Sequence, residues 1–272
     1  MINKKRMNEI LEEFDASSVS PIAEGKSKAI YPTLDDRLNL MKFKPHCRSI
    51  TYDREEDVPR TEHWRMFACM DFMQRTEKLG IPTQLMYDKL VEKDGDLFMA
   101  VDKIEPIPIE WIIRYEAAGS IVNLFPTLAK KGQKFDKPFL KYDLKQDISV
   151  AGVDDPTLNE SYIVGFGLLG SDNEVQDCKN MLTRIGGDIR SRLDDVGVDL
   201  IDMKMEFGYN PKGEVVLIDE ISQDCIRGRD RTTGNSITKD LFREWKSHSD
   251  IVSGYETFAR KLNPTIENYL IK

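Results

Sequence analysis

Polar and apolar positions alternate most clearly between residues 199 and 219. Asp202, Lys204 and Glu206 alternate there with apolar residues, which places the three charges on one face of a predicted strand. Asn-Pro-Lys-Gly at 210–213 is a strong turn sequence, and a second apolar run follows it. The pattern predicts a β-hairpin with a charged face.

The register of this hairpin decides which charges meet. If Tyr209 pairs with Glu214, Lys204 lies opposite Asp219 on the charged face. Like charges on a sheet face repel, and burying them is expensive. A bound cation and a phosphate would remove that cost, and Mg²⁺ prefers one or two carboxylates plus phosphates. The face therefore indicates a Mg-nucleotide site or, alternatively, a solvated surface with ion pairs.

Hydrophobic periods elsewhere predict a mixed fold of helices and strands. The predicted helices are 1–19, 64–79, 171–197, 239–245 and 251–262, and the predicted strands are 24–31, 38–43, 84–91, 97–104 and 111–114. Residues 126–160 show neither period and are predicted to be loop-rich. Two prolines make residues 104–110 a connector. We place a lobe boundary there, which gives an N-terminal lobe of residues 1–104 and a C-terminal lobe of residues 105–272.

Composition narrows the class of protein. The 272 residues are 40% hydrophobic and carry a net charge of −8, which argues against a nucleic-acid partner. No apolar run approaches the roughly 20 residues of a membrane span, so no membrane partner is expected. The four cysteines are widely spaced without a CxxC pair, which favours reduced thiols and a cytoplasmic location.

Two further segments are typical of anion binding. Lys26 and Lys28 share one side of a predicted strand beside a glycine, and lysine suits phosphate oxygens. Arg114 ends a predicted strand and precedes the turn Gly119-Ser120, where backbone N–H groups at a helix start would add to an anion site. Surface lysines and an ordinary strand-to-helix connection are the alternatives.

A dense group of charges of both signs follows the hairpin. Asp224, Arg227, Arg229 and Asp230 lie within seven positions. Their place just after a predicted metal site favours a loop that orders a substrate. A solvated loop with ion pairs is the alternative.

These segments occur together and in one order, and in that combination the chain resembles the SAICAR synthetases, the phosphoribosylaminoimidazole-succinocarboxamide synthases of purine biosynthesis. The similar segments are GKSKAIY (25–31), LGIPTQL (79–85), PIPIEWIIRYEAAGS (106–120), DDPTLNESY (154–162) and DLIDMKMEFGYNPKGEVVLIDEISQD (199–224). The resemblance implies an α+β, two-lobed fold with ATP bound between the lobes, distantly related to ATP-grasp and kinase-like folds. It also implies an ATP- and Mg²⁺-dependent ligase that joins carboxyaminoimidazole ribonucleotide to L-aspartate. Small molecules would be its partners, and a homodimer is the expected assembly.

The resemblance also implies roles for single residues. The residues expected to bind ATP are Lys26, Lys28, Val101 and Ile104, and those expected near the reacting carboxylate and the ribonucleotide are Lys204 and Asp202. Magnesium would be held by Glu206 and Asp219. The remaining substrate residues would be Arg114, Ser120, Asp224 and Arg227, of which Arg114 and Ser120 match the pair that binds the ribonucleotide phosphate.

Two departures from the family leave alternatives open. Residues 46–53 stand where the family usually has an Asp-Ser-Ala segment near the imidazole and amino-acid sites, and Arg229 replaces a large aromatic. The chain is therefore a SAICAR synthetase or a related ATP-dependent ligase that acts on a different carboxylate or amine. Arg48 and Arg229 would favour a more anionic substrate. A non-catalytic nucleotide-binding protein would bind ATP without turnover, but the intact set of lysines and carboxylates argues against it.

Overall fold

The computed structural model describes residues 1–49, 52–146 and 155–270, and within these ranges it contains two antiparallel sheets and a short ribbon. The smaller sheet contains β1 (Ala23–Glu24), β2 (Lys28–Pro32), β3 (Leu38–Phe43), β6 (Leu85–Lys93) and β7 (Asp96–Asp102). Their order across the sheet is β1-β2-β3-β7-β6. The ribbon pairs β4 (His46–Ser49) with β5 (Arg54–Asp57).

The larger sheet is built around one long strand. It contains β8 (Glu105–Pro106), β9 (Ile109–Glu116), β10 (Lys134–Leu144), β11 (Thr157–Leu158), β12 (Val198–Tyr209), β13 (Val215–Ile218) and β14 (Ile226–Asp230). The main order is β11-β10-β9-β12-β13, and β8 and β14 also pair with β12. Because β12 is long enough to pair with several strands, it gathers residues from distant parts of the chain.

Helices cover and connect these sheets. They are α1 (Lys4–Glu13), α2 (Thr61–Lys78), α3 (Ser120–Leu124), α4 (Glu160–Gly165), α5 (Asp172–Asp195), α6 (Asp240–Arg243), α7 (His248–Leu262) and a 3₁₀ helix (Ile266–Tyr269). The main predicted helices are confirmed. Within the described ranges, no helix combines the length and apolar character needed to cross a membrane.

Packing explains two sequence features. Met7, Ile10 and Phe14 are buried beside residues of the smaller sheet, as the amphipathic period of the N-terminal segment predicts. Gly186 lies inside α5, where a Cβ atom would sit 2.9 Å from the Tyr115 hydroxyl. A glycine that weakens an isolated helix is therefore needed for close approach of α5 to β9.

Backbone hydrogen bonds join the segment just before β6 to β13, and the elements of the protein share a core. Gln84 N–H donates to the Leu217 carbonyl at 2.9 Å, and Leu217 N–H donates to the Pro82 carbonyl at 3.0 Å. One cluster of buried apolar side chains extends from α2 to α5 and α7. A lobe boundary near residue 104 remains our proposal.

The structure corrects two expectations. Tyr209 pairs with Val215 rather than Glu214, and β13 ends at Ile218, so Lys204 does not pair with Asp219 across the hairpin. The turn leaves room for this one-residue slip. Residues 126–160 were expected to be loop-rich but contain β10, an eleven-residue strand. Pro138 lies within an irregularity of its pairing with β9, and proline inside a run hides a strand from pattern analysis.

Candidate active site

A row of charges crosses three neighbouring strands of the larger sheet. Asp202 on β12 pairs in register with Arg114 on β9 and with Arg227 on β14. The Arg227 Nη1 donates to Asp202 Oδ2 at 2.9 Å, and Arg114 Nε lies 3.0 Å from the same oxygen. Arg114 Nε is buried and has no partner with hydrogen-bond geometry among the described residues. The row thus holds two guanidinium groups on one carboxylate.

The turn after β9 lies against this row. Gly119 has a φ of 60°, which favours glycine. A Cβ atom there would be 2.8 Å from Arg227 Nη1, so the arginine occupies the space that any other residue would fill. Ser120 is exposed at the start of α3. The structure therefore brings Arg114, Arg227 and the Gly119-Ser120 turn together, as an anion site requires.

A second cluster lies further along β12. Lys204 Nζ donates to Glu110 at 2.8 Å and to Glu206 at 2.9 Å, and Lys145 donates to Glu206 at 2.7 Å. Burial alone would raise the pKa of Glu206, but the Lys204 and Lys145 ammonium groups lower it to about 2. Burial opposes the charge of Lys204, yet Glu206 and Glu110 raise its pKa well above the usual range. Glu206 and Lys204 are therefore held in their charged forms.

The sequence did not identify Glu110 and Lys145 as members of this cluster. Glu110 shares a strand face with Arg114, since they lie four positions apart on β9. That spacing was a signal for Glu110. Lys145 lies beyond the strand that the sequence did not predict, so nothing in the pattern pointed to it.

The smaller sheet contributes Lys28. Its ammonium lies 2.6 Å from Asp219 Oδ1 and 3.3 Å from Glu220 Oε2. Burial lowers the pKa of Lys28, but these two carboxylates outweigh it and raise the pKa. Lys28 also interacts electrostatically with Lys204 and Glu206. The Lys28 cluster and the Lys204 cluster therefore face the same site.

Asp219 has an unusual backbone. Its φ is 62°, a left-handed conformation that non-glycine residues adopt rarely. The next residue, Glu220, is fixed by buried Arg65, whose Nε and Nη2 donate to its two oxygens at 2.8 and 2.7 Å. Burial would raise the pKa of Glu220, but Arg65 and Lys28 lower it to about 2. Strained backbone kept by such contacts is common at functional sites.

Asp224 is surrounded by protein partners. Its Oδ1 accepts from the Tyr255 hydroxyl at 2.6 Å, and its Oδ2 accepts from Lys239 at 3.2 Å. Burial opposes its charge, but Lys239 and Arg65 lower its pKa. In this structure Asp224 supports the end of β13 and the start of β14, and its role toward a substrate stays a prediction. The sequence predicted helices over 239–245 and 251–262, which hold Lys239 and Tyr255, without indicating this contact.

The other residues predicted to bind ATP, Lys26, Val101 and Ile104, have different surroundings. Lys26 forms an ion pair with Glu55 of the ribbon rather than joining Lys28. Val101 is 2% exposed and pairs with strands on both sides. Ile104 is half-buried against Gly208, where a Cβ atom would be 2.5 Å from its Cγ2. Val101 therefore belongs to the core, and Ile104 is the more accessible of the two.

The departures from the family pattern are paired inside the protein. Arg229 Nη2 donates to both oxygens of buried Glu116, at 3.2 and 2.9 Å. Arg48 Nε lies 3.2 Å from Glu55. The unmatched segment 46–53 includes residues 50 and 51, which lie outside the described residues.

The donor set fits one hard cation. Among the described residues no group of three or more His, Cys, Asp or Glu side chains is arranged to hold a metal. Glu206 contacts Lys204 and Asp219 contacts Lys28, and Mg²⁺ usually takes one or two carboxylates together with substrate phosphates. The arrangement suits Mg²⁺ brought with a nucleotide rather than a metal held by protein alone.

Comparison with known proteins agrees with this geometry. The family model for SAICAR synthetase matches residues 21–261. A phosphoribosylaminoimidazole-succinocarboxamide synthase of Methanopyrus kandleri is 31% identical over 242 residues, covering 89% of this chain and 92% of the relative. The synthase of the same name from Methanosarcina acetivorans is 33% identical over 242 residues, covering 89% of this chain and 96% of its own.

Solved structures agree as well. The crystal structure of the Ehrlichia chaffeensis synthase has a TM-score of 0.80 at 27% identity and covers 90% of this chain and 98% of its own. A SAICAR synthetase in complex with ADP has a TM-score of 0.79 at 25% identity, covering 89% and 97%. These structures confirm the expected two-lobed α+β fold. The match over 21–261 and the shared fold show that this chain belongs to the SAICAR synthetase family.

Proposed function

We propose that this protein joins carboxyaminoimidazole ribonucleotide to L-aspartate at the expense of ATP, and so forms SAICAR, ADP and phosphate. The observation that carries the proposal is the shared face of β9, β12 and β14. It holds an arginine pair at one end and a lysine-carboxylate cluster at the other. A phosphorylated substrate with a reacting carboxylate needs both kinds of group.

The arginine end would bind the ribonucleotide. Arg114, Arg227 and Ser120 are the proposed phosphate ligands, because both guanidinium groups lie on Asp202 and the Gly119-Ser120 turn lies against Arg227. Guanidinium groups suit phosphate through paired N–H donors. Asp202 Oδ2 contacts both arginines and so holds the two guanidinium groups next to each other. We assign Asp202 to the ribose side of the same substrate.

The lysine end would bind the reacting groups. A carboxylate is a poor electrophile, and phosphorylation gives it a leaving group that the aspartate amine can displace. Lys204 would stabilise the negative charge that develops on the reacting carboxylate of the ribonucleotide. Lys28 and Lys26 would contact the nucleotide phosphates, and Ile104 with neighbouring Val101 would contact the adenine through the backbone.

Glu206 and Asp219 would hold Mg²⁺. The ion would supply charge neutralisation at the phosphate oxygens. Lys204 and Lys145 contact Glu206, and Lys28 contacts Asp219, so each carboxylate is already oriented by at least one ammonium group. We propose that Asp224 positions the segment after Asp219 through its contacts with Tyr255 and Lys239.

We further propose a cytoplasmic homodimer. Exposed apolar side chains of α3, the following turn and β10 support a contact between copies: Leu124, Phe125, Leu128 and Phe139. Hydrogen bonds between Ala117 and residues 132–133 keep these elements adjacent. Light scattering on the purified chain tests the assembly, and a monomer at micromolar concentration would contradict it.

A phosphate-release assay tests the activity. It contains ATP, Mg²⁺ and carboxyaminoimidazole ribonucleotide, with or without L-aspartate, and mass spectrometry identifies the product. We expect phosphate release only with both substrates, together with the succinocarboxamide mass. ATP binding without that product would refute the proposal and favour a relative that uses another amine or carboxylate.

A further inference from the structure

The β4–β5 ribbon has two chemically different faces, because side chains alternate along each strand. Cys47 and Arg54 lie on the inner face and are buried. Arg54 donates to the Phe242 carbonyl at 2.7 Å, and its guanidinium lies 4.3 Å from the Phe242 ring centre. On the same face, Glu56 accepts from His248 at 3.0 Å. The ribbon is therefore anchored on the start of the C-terminal helices.

Three basic side chains converge on one carboxylate at the outer face. Lys26 donates to Glu55 Oε1. His46 Nε2 lies 3.1 Å from the same oxygen, and Arg48 Nε lies 3.2 Å from Oε2. Arg48 and Glu55 pair in register, and each side chain is 39% exposed. The three basic groups thus surround the Glu55 carboxylate, and His46 Nδ1 also lies 2.9 Å from Asp57 Oδ1 on the same face.

We infer that Lys26, His46 and Arg48 bind an anionic oxygen group of a ligand, and that Glu55 competes with the ligand for them. The inference rests on the proposed function, which assigns Lys26 to a nucleotide phosphate. The ligand group is a phosphate of the nucleotide or a carboxylate of the acceptor amino acid. Exposed ion pairs contribute little to stability, so a ligand can displace Glu55 at small cost.

Competition predicts the direction of a mutational effect. A ligand that binds only the fraction of molecules in which Lys26 is released has its apparent affinity reduced by that fraction. Glu55→Gln removes the competing charge and keeps the shape of the side chain. Glu56→Gln is the matched control, because Glu56 is the adjacent residue on the inner face of the same strand. Arg48→Gln removes one of the three proposed ligands.

Calorimetric titration with MgADP measures binding of the nucleotide phosphate. The KM for L-aspartate reports on the carboxylate of the acceptor amino acid. We expect Glu55→Gln to tighten one of them by about threefold to tenfold, with Glu56→Gln within twofold of the wild type. Arg48→Gln should weaken the same ligand by about threefold. Tightening of MgADP identifies the phosphate, and tightening of L-aspartate alone identifies the carboxylate.

Two failures are distinguishable. If Glu55→Gln leaves both ligands unchanged or weakens them, the inference is overturned while nucleotide binding by the wild type still supports the proposed function. If the wild type neither binds MgADP nor turns over, the proposed function fails first. Thermal unfolding of each variant, expected near the wild-type midpoint, shows that a change in affinity reflects the site.

Discussion

The strands that match the family and the segments that depart from it treat their charges differently. On β9 and β12, Arg114 and Lys204 come from neighbouring strands and meet around one face, and Arg114 keeps a buried N–H without a hydrogen bond among the described residues. In the departing segments, Arg229 is paired with Glu116, and Arg48 with Glu55. A cation that is paired with a carboxylate adds no net charge to the site. A departure in sequence is therefore weak support for a changed substrate.

The substitution Asp219→Asn, among the residues that match the family, should have the largest effect on activity. We expect kcat to fall by about 1,000-fold or more, because the variant would lose the proposed magnesium ligand and the charge opposite Lys28. The fold should persist, since asparagine tolerates the left-handed backbone at this position. Phosphate release at saturating ATP and Mg²⁺ measures the effect. Glu214→Gln, exposed on the same hairpin, is the control, and near-normal activity of Asp219→Asn would remove the metal assignment.

Substitutions at the arginine end of the face shared by β9, β12 and β14 should have the next largest effect on catalysis. Combining Arg114→Ala with Ser120→Ala should raise the KM for the phosphorylated substrate by about 100-fold, the scale expected for lost hydrogen bonds to a charged group. The KM for ATP, measured on the same double variant, is the internal control and should change far less. Equal increases in both KM values would count against a phosphate site at this end.

Acid stability separates buried charges from exposed ones. Glu206 has a pKa of about 2 in the folded protein against 4.5 ordinarily, so its stabilisation is full above pH 4.5 and is lost as pH falls toward 2. Between pH 5 and pH 3 this group alone should lower the free energy of unfolding by about 2 kcal/mol. Urea titrations at several pH values measure the free energy of unfolding. Its decrease between pH 5 and pH 3 should be smaller in Glu206→Gln than in the wild type, and unchanged in the control Glu92→Gln, whose side chain is exposed. The same pH dependence of the free energy of unfolding in the wild type and both variants would contradict an ionised pair of Glu206 with Lys204.

Much of the matching side could be predicted because its information is local. Alternation placed Asp202, Lys204 and Glu206 on one face, and β12 presents them so. The register with β13 could not be derived, since a four-residue turn permits a slip of one residue. Lys145 escaped prediction because it follows β10, whose proline and half-exposed charges lack a clear period.

The departing side could not be predicted for a different reason. Glu116 and Arg229 are 113 positions apart, and only the pairing of β9 and β14 with β12 brings them together. No local pattern encodes that contact. The same holds for Lys26, in the turn between β1 and β2, and Glu55 on β5. The sequence thus pointed to Arg229 and Lys26, but not to Glu116 and Glu55, the carboxylates that pair with them.

The substitution Arg229→Gln should have the smallest effect on activity. It tests most directly whether the residues that depart from the family contact the substrates. Because both Glu116 oxygens already accept from Arg229, we expect the KM of each substrate to change by less than about twofold. Stability should fall by about 1–3 kcal/mol, since Glu116 is buried and would lose its charged partner. Urea unfolding and steady-state kinetics on one preparation measure both quantities. A KM for the ribonucleotide or for L-aspartate raised tenfold at unchanged stability would mean that Arg229 binds substrate, and the charge of the departing segment would then belong to the site.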